Sequence, residues 1–175
     1  MQLQHALALV RDIPDFPQSG ILFKDITPLL ANPQAFALVT TELAGDSQKY
    51  SQVVGIEARG FILGAAIASY SSRGFVPFRK AGKLPHTTIS KSYGLEYGVD
   101  VIEAHIDAVL PSDSVLIVDD VLATGGTLLA AIELIYELGA SISEVVVLYE
   151  ISFLKGRERI LEKYPEITIR SIVAG

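Results

Sequence analysis

The segment VLIVDDVLATGGT, Val115 to Thr127, limits what this chain can fold into more than any other stretch. Its start, Val115 to Val118, is wholly apolar, the pattern of a strand buried on both faces. The run then meets two acids, passes through a turn of small residues and continues as LLAAIELIYEL, an amphipathic helical run. A buried strand feeding a helix through a tight turn is the building block of parallel α/β sheets, where the helix crosses back over the sheet it came from.

The same unit occurs earlier, as VVGI (Val53 to Ile56), then EARG, then FILGAAIASY, a small-residue run suited to a closely packed helix. Phe75 to Arg79, Glu144 to Tyr149 and Ile167 to Ile172 are further strand candidates. Leu3, Ala6, Leu7 and Val10 predict a short helix within residues 2–11, which Pro14 and Pro17 end. Asn32 before Pro33 signals a second helix reaching about Ala44, with Gly45 and Asp46 closing it. The expected fold class is α/β, a doubly wound mainly parallel sheet with helices on both faces, in a single domain over residues 1–175. A chain 50% hydrophobic and only 19% charged suits a sheet covered on both sides. The stretch KAGKLPHTTISKSYGLEYG has no sustained periodicity, so residues of about 80–99 are expected to form a flexible loop or weak hairpin, a candidate lid.

Net charge is −6, which disfavours nucleic acid as a partner while leaving room for a small basic site. The absence of cysteine excludes disulfides and thiolate chemistry. MQLQHALALVRDIPDF has no basic n-region, and no apolar run approaches the ~20 residues of a membrane helix, so no membrane association is expected and the location is read as cytoplasmic. His5, His86 and His105 are scattered without metal-ligand spacing and receive no role.

Chemistry concentrates after the Val115 strand. Thr124, Gly125, Gly126 and Thr127 can turn several N–H groups and two hydroxyls toward one phosphate at a helix start. Asp119 and Asp120 can accept hydrogen bonds from ribose hydroxyls or hold water around a magnesium ion. Neither GxGxxG nor GxxxxGK[ST] is present, so dinucleotide and P-loop readings have no fingerprint.

VLIVDDVLATGGT closely resembles the phosphoribosyl pyrophosphate motif of type I phosphoribosyltransferases. The resemblance implies that Ala123, Thr124, Gly125, Gly126 and Thr127 hold the 5-phosphate, and that Asp119 and Asp120 address the ribose and the magnesium shell. Four further segments, FPQSGILFKDITPLL, GIEARGF, FRKAGKLP with SYGLEYG, and YEISFLKGRERI, resemble the adenine-using members of that family in order and spacing. They imply an N-terminal base-binding segment, with adenine held by Leu22, Phe23, Lys24 and Leu154; Lys24 stands where many members carry Arg. They also imply pyrophosphate contacts from Ala58, Arg59 and Gly60, near which the family carries a non-proline cis peptide, and from Arg79, Lys80 and Lys83. Glu57 and Ala58 depart from the Asp-Ser pair of many members, so no hydroxyl contact carries over to position 58.

Arg59 and Glu96 are the implied catalytic residues, Glu96 as general acid or base on a ring nitrogen and Tyr97 sealing the lid. The implied reaction joins adenine to phosphoribosyl pyrophosphate, giving AMP and pyrophosphate. Mg2+ would be carried mainly by the phosphoribosyl pyrophosphate, with no direct protein ligand assigned, in a homodimer. Two alternatives stay open: transfer to another purine base, and a non-catalytic regulator of the same fold that senses phosphoribosyl pyrophosphate.

Overall fold

In the computed structural model, which describes residues 1–95 and 98–175, the chain divides into two units, Met1–Gly45 and Asp46–Gly175. The first contains α1 (Leu3–Leu7), β1 (Arg11–Pro14), β2 (Leu22–Asp25), α2 (Thr27–Ala31) and α3 (Pro33–Ala44). β1 and β2 pair antiparallel, with Ile13 opposite Phe23. The Asn32 side chain accepts from the Ala35 N–H and caps α3, with Pro33 at the first helical position, as the Asn-Pro signal predicts. The first helix is shorter than expected, because the chain has already entered β1 by Arg11.

The second unit is built on β3 (Gln52–Ile56), α4 (Arg59–Ser71), β4 (Gly74–Lys80), β5 (Thr88–Leu95), β6 (Gly98–His105), β7 (Ser114–Leu122), α5 (Gly126–Glu137), β8 (Ser141–Glu150), α6 (Gly156–Lys163) and β9 (Ile169–Ala174). The sheet runs in the order β5-β6-β4-β3-β7-β8-β9. Neighbours from β4 to β9 are parallel, while β6 pairs antiparallel with both β4 and β5. The mainly parallel α/β sheet expected from the sequence is therefore present, with an antiparallel edge.

Strand periodicity explains how both faces are filled. Val54, Ile56, Val115 and Ile117 share one apolar cluster with Leu128, Ala131, Ile132 and Ile135 of α5. The alternating residues Val53, Leu116 and Val118 are equally buried and point to the other face, where α4 packs on β3 and β7. Among the described residues no helix is long and apolar enough to cross a membrane.

The stretch expected as a loop or weak hairpin pairs in full register, from Thr88 opposite His105 to Leu95 opposite Gly98. Its strands are legible only in part because Thr, Ser and Lys occupy positions on both faces of an edge, so the two-residue alternation is faint.

Candidate active site

β7 lies between β3 and β8, so its last residues emerge at the C-terminal ends of parallel strands, where open α/β sheets place their ligands. Asp119 and Asp120 stand there, and an Asp119 carboxylate oxygen accepts from the Asp120 N–H at 2.9 Å. After Leu122 the chain turns through Ala123, Thr124 and Gly125 and enters α5 at Gly126. Gly125 has φ +79°, a left-handed conformation that glycine adopts without a Cβ penalty. Residues from Val121 to Leu128 line a small open depression into which the first, unpaired N–H groups of α5 can donate.

A second loop follows β3. Its Glu57–Ala58 peptide is cis, Ala58 precedes α4, and Arg59 and Gly60 open the helix. A Cβ on Gly60 would stand 2.8 Å from the Val118 carbonyl oxygen and 3.1 Å from Asp119 Oδ1, so the two loops are packed together. Arg59 Nη2 reaches Asp120 Oδ2 at 2.6 Å. Burial raises the Asp119 pKa well above the ordinary carboxylate value, and the neighbouring Asp120 charge adds to it. Burial also raises Asp120, with the Arg59 guanidinium offsetting only part of that effect.

The predicted basic cluster is organised by an acid of this second loop. Glu57 accepts from Arg79 Nε at 3.3 Å, from the Lys80 N–H at 3.0 Å and from Lys83 Nζ. Burial alone would raise the Glu57 pKa, but these donors outweigh it and hold the carboxyl below its usual value. Lys80 points instead to Asp100 of β6, at 2.8 Å, and the Tyr93 hydroxyl donates to the same carboxylate at 3.2 Å. Arg79 and Lys83 are thus brought to one acid and Lys80 to another.

The wall beyond the β7 loop comes from α6. A Cβ on Gly156 would lie 2.8 Å from Gly125 N and would also strike the Ala123 carbonyl, so the start of α6 touches the loop backbone directly. Arg157 fixes that start: Nε donates to both Glu150 oxygens at 2.9 and 3.1 Å, Nη1 to the Ile169 carbonyl at 2.7 Å and Nη2 to Ser171 Oγ at 2.9 Å. Arg159 donates to the Thr124 carbonyl at 3.4 Å. Leu154 sits in a 3-10 turn just before α6, partly exposed.

In the N-terminal unit, Leu22, Phe23 and Lys24 follow one another on β2. Leu22 is exposed, Phe23 meets the Phe16 ring edge-on at 5.1 Å between centroids, and Lys24 pairs with Asp12 at 2.6 Å. Glu96 and Tyr97 lie outside the described residues. Sequence reasoning did not single out Glu57 as an organising acid, nor Tyr93, Asp100, Gly156, Arg157 or Arg159. The last three lie in the KGRER run, whose glycine followed by alternating charge was the available signal.

Two strand-end loops are thus joined, one able to surround an anion with N–H groups and one bringing Arg59 to Asp120. Residues 26–173 match the phosphoribosyl transferase domain family. An adenine phosphoribosyltransferase of Streptomyces clavuligerus is 53% identical over 156 residues, covering 88% of each chain. The crystal structure of adenine phosphoribosyltransferase from Thermoanaerobacter pseudethanolicus superposes with a TM-score of 0.92 at 44% identity, over 99% of this chain and 100% of that one. The Giardia lamblia enzyme, complexed with 9-deazaadenine, gives 0.93 at 44% identity, over 100% and 98%.

Proposed function

Because the chain belongs to the phosphoribosyltransferase family, among its adenine phosphoribosyltransferases, we propose a mechanism in which each loop described above takes one part of a single substrate. The reaction transfers the 5-phosphoribosyl group from phosphoribosyl pyrophosphate to adenine, giving AMP and pyrophosphate in purine salvage. The observation that carries the division of labour is the 2.6 Å Arg59–Asp120 ion pair, which couples the two strand-end loops.

Ala123 to Thr127 take the 5-phosphate and Asp119 with Asp120 take the ribose hydroxyls. Ala58, Arg59 and Gly60 take the pyrophosphate, with Arg79, Lys80 and Lys83 as further cations. Arg59 then stabilises charge gathering on the departing pyrophosphate while its Asp120 partner stays on the sugar. Holding both ends of the sugar aligns C1 for attack by the purine nitrogen, and alignment of two reactants is worth up to ~7–11 kcal/mol. Adenine falls to Leu22, Phe23, Lys24 and Leu154, whose apolar surfaces suit a flat base. Glu96 manages the ring proton and Tyr97 excludes water from the sugar cation.

Magnesium is the proposed cofactor, and the donor chemistry fits it. The β7 end offers two adjacent carboxylates, hard oxygen donors that suit the water shell of an ion ligated mainly by pyrophosphate oxygens. When bound, it neutralises pyrophosphate charge and improves the leaving group. The same reading makes the protein a cytoplasmic homodimer in which Arg79 reaches a neighbouring site. Ile62 and Tyr70 of α4 are exposed apolar side chains available to a partner copy.

The test is pyrophosphate release with magnesium and phosphoribosyl pyrophosphate, comparing adenine with hypoxanthine, guanine, xanthine and orotate and identifying the nucleotide formed. AMP formation with adenine alone is expected. Faster turnover of another base would overturn the base assignment, and binding without turnover on any base would favour a regulator.

A further inference from the structure

The loop Ala123–Thr127 offers a phosphate N–H groups and two hydroxyls but no cation, and two carboxylates stand directly upstream of it. A dianion held near Asp119 and Asp120 gains from a positive neighbour that adds to the loop N–H groups and offsets whatever negative charge the two acids carry. Other cations pair elsewhere: Arg59 with Asp120, Arg79 and Lys83 with Glu57, Lys80 with Asp100, Arg157 with Glu150, and the exposed Lys155 with Glu158 at 3.8 Å. Arg159 is different. Among the described residues no carboxylate lies within ion-pair distance of it, and the hydrogen bond it makes is the long 3.4 Å contact to the Thr124 carbonyl, inside the loop itself.

Its guanidinium also approaches the start of α5. Nη1 lies 3.8 Å from where a Cβ on Gly126 would stand, and Gly94 and Tyr93 of β5 close on the same point at 3.2 and 3.4 Å. Arg159 therefore reaches the loop at the residue where α5 presents its first N–H groups. The helix that carries it is not free to drift, because Arg157 ties its first turn to Glu150, Ile169 and Ser171 and Gly156 rests on the loop backbone.

We propose that Arg159 is a 5-phosphate-binding residue, exchanging its weak carbonyl contact for a charge-assisted bond to a phosphate oxygen when a ribose 5-phosphate group enters the loop. This rests on the reading of Ala123–Thr127 as the 5-phosphate loop. The planar guanidinium can bridge a phosphate oxygen and the loop carbonyl together, which an ammonium on a flexible stem does less well. The ligands affected are those with a terminal phosphate on ribose, namely phosphoribosyl pyrophosphate, AMP and ribose 5-phosphate. Inorganic pyrophosphate, held by the other loop, is not.

The experiment is calorimetric titration of the full chain with ribose 5-phosphate and, separately, with inorganic pyrophosphate, using wild type, Arg159→Gln, Arg159→Lys and Thr127→Val. Arg159→Gln weakens ribose 5-phosphate by about tenfold, Arg159→Lys by less, and neither changes pyrophosphate affinity or Tm. In turnover, the KM for phosphoribosyl pyrophosphate rises in Arg159→Gln while the KM for adenine does not. Wild-type ribose 5-phosphate affinity in Arg159→Gln, with affinity lost in Thr127→Val, sinks the Arg159 role alone. Wild-type affinity in both variants removes the loop reading beneath it. Equal loss of both ligands in Arg159→Gln also refutes the proposal, because it would report general damage.

Discussion

Replacing Arg157 by methionine removes every donor that neutralises Glu150 except the Ser171 hydroxyl, 2.5 Å from the same carboxylate. Glu150 is 8% exposed, so its charge recovers only part of its hydration in place, and the Ile169 carbonyl loses its 2.7 Å donor at the same time. Breaking a buried ion pair from one side costs ~3–5 kcal/mol, and because the Arg157 side chain is 34% exposed we expect re-entering water to reduce this to ~2–3 kcal/mol. For a chain of 175 residues, at ~2–4 °C per kcal/mol, Tm should fall by about 4–12 °C. Arg157→Lys should fall between the two, keeping charge but not the fork.

The pH dependence supplies a sharper test of the same pair. Hydrogen bonding from Arg157 is the largest influence holding the Glu150 pKa below its ordinary 4.5, against the opposing effect of burial. A lowered acid contributes stability that is complete above its unfolded pKa and is lost as pH falls through the folded one. The gap between wild type and Arg157→Met should therefore be widest near neutrality and narrow below about pH 4.5. Thermal melts of wild type, Arg157→Met, Glu150→Gln and the double variant, at pH 7 and pH 4, measure both effects. A loss below ~1 kcal/mol at pH 7, or strictly additive single losses, would refute this account of the pair.

Gly156→Ala drives a Cβ into the Ala123 carbonyl and Gly125 N and should raise the KM for phosphoribosyl pyrophosphate about tenfold or more, with adenine binding kept; steady-state kinetics with each substrate varied checks it. Asp119→Asn with Asp120→Asn should lower kcat by at least about a hundredfold. Because both carboxyl pKa values are raised in the fold, ionising them costs stability as pH rises, so the same variant should melt no lower than wild type at pH 7; a lower Tm contradicts the assignment. Glu96→Gln should lower single-turnover chemistry more than adenine affinity, and an unchanged chemical step removes its acid/base role.

Some of this molecule could be read before folding it. Val115–Val118 and Val53–Ile56 are continuous apolar runs because both strands are covered on both faces, and the Asn-Pro start of α3 and the Thr/Gly turn after β7 are signals confined to a few adjacent residues. The hairpin β5–β6 was only half legible: its burial does alternate, with Ile89 and Tyr93 packed on the core, but Lys91 shares their face and Thr, Ser and Gly fill the other, so few apolar residues mark the period. The resemblance of the loop motifs to the phosphoribosyltransferases marked where chemistry sits, but not what each charge touches.

That last matter belonged to the tertiary structure. Glu57 meets Arg79 and Lys83 across a sequence separation of 22 and 26 residues, and Arg59 meets Asp120 only because β3 and β7 are sheet neighbours. Gly156 rests on a loop more than a full strand and helix upstream, and that contact turns the start of α6 into a wall of the Ala123–Thr127 loop. Backbone conformation and burial pattern follow from steric and solvation forces acting over a few residues, so the sequence determined the buried strands, the capped helix and the Thr/Gly turn. Charge partners depend on which strands lie side by side, a choice made by the packing of the whole sheet, and so only the folded chain decided them.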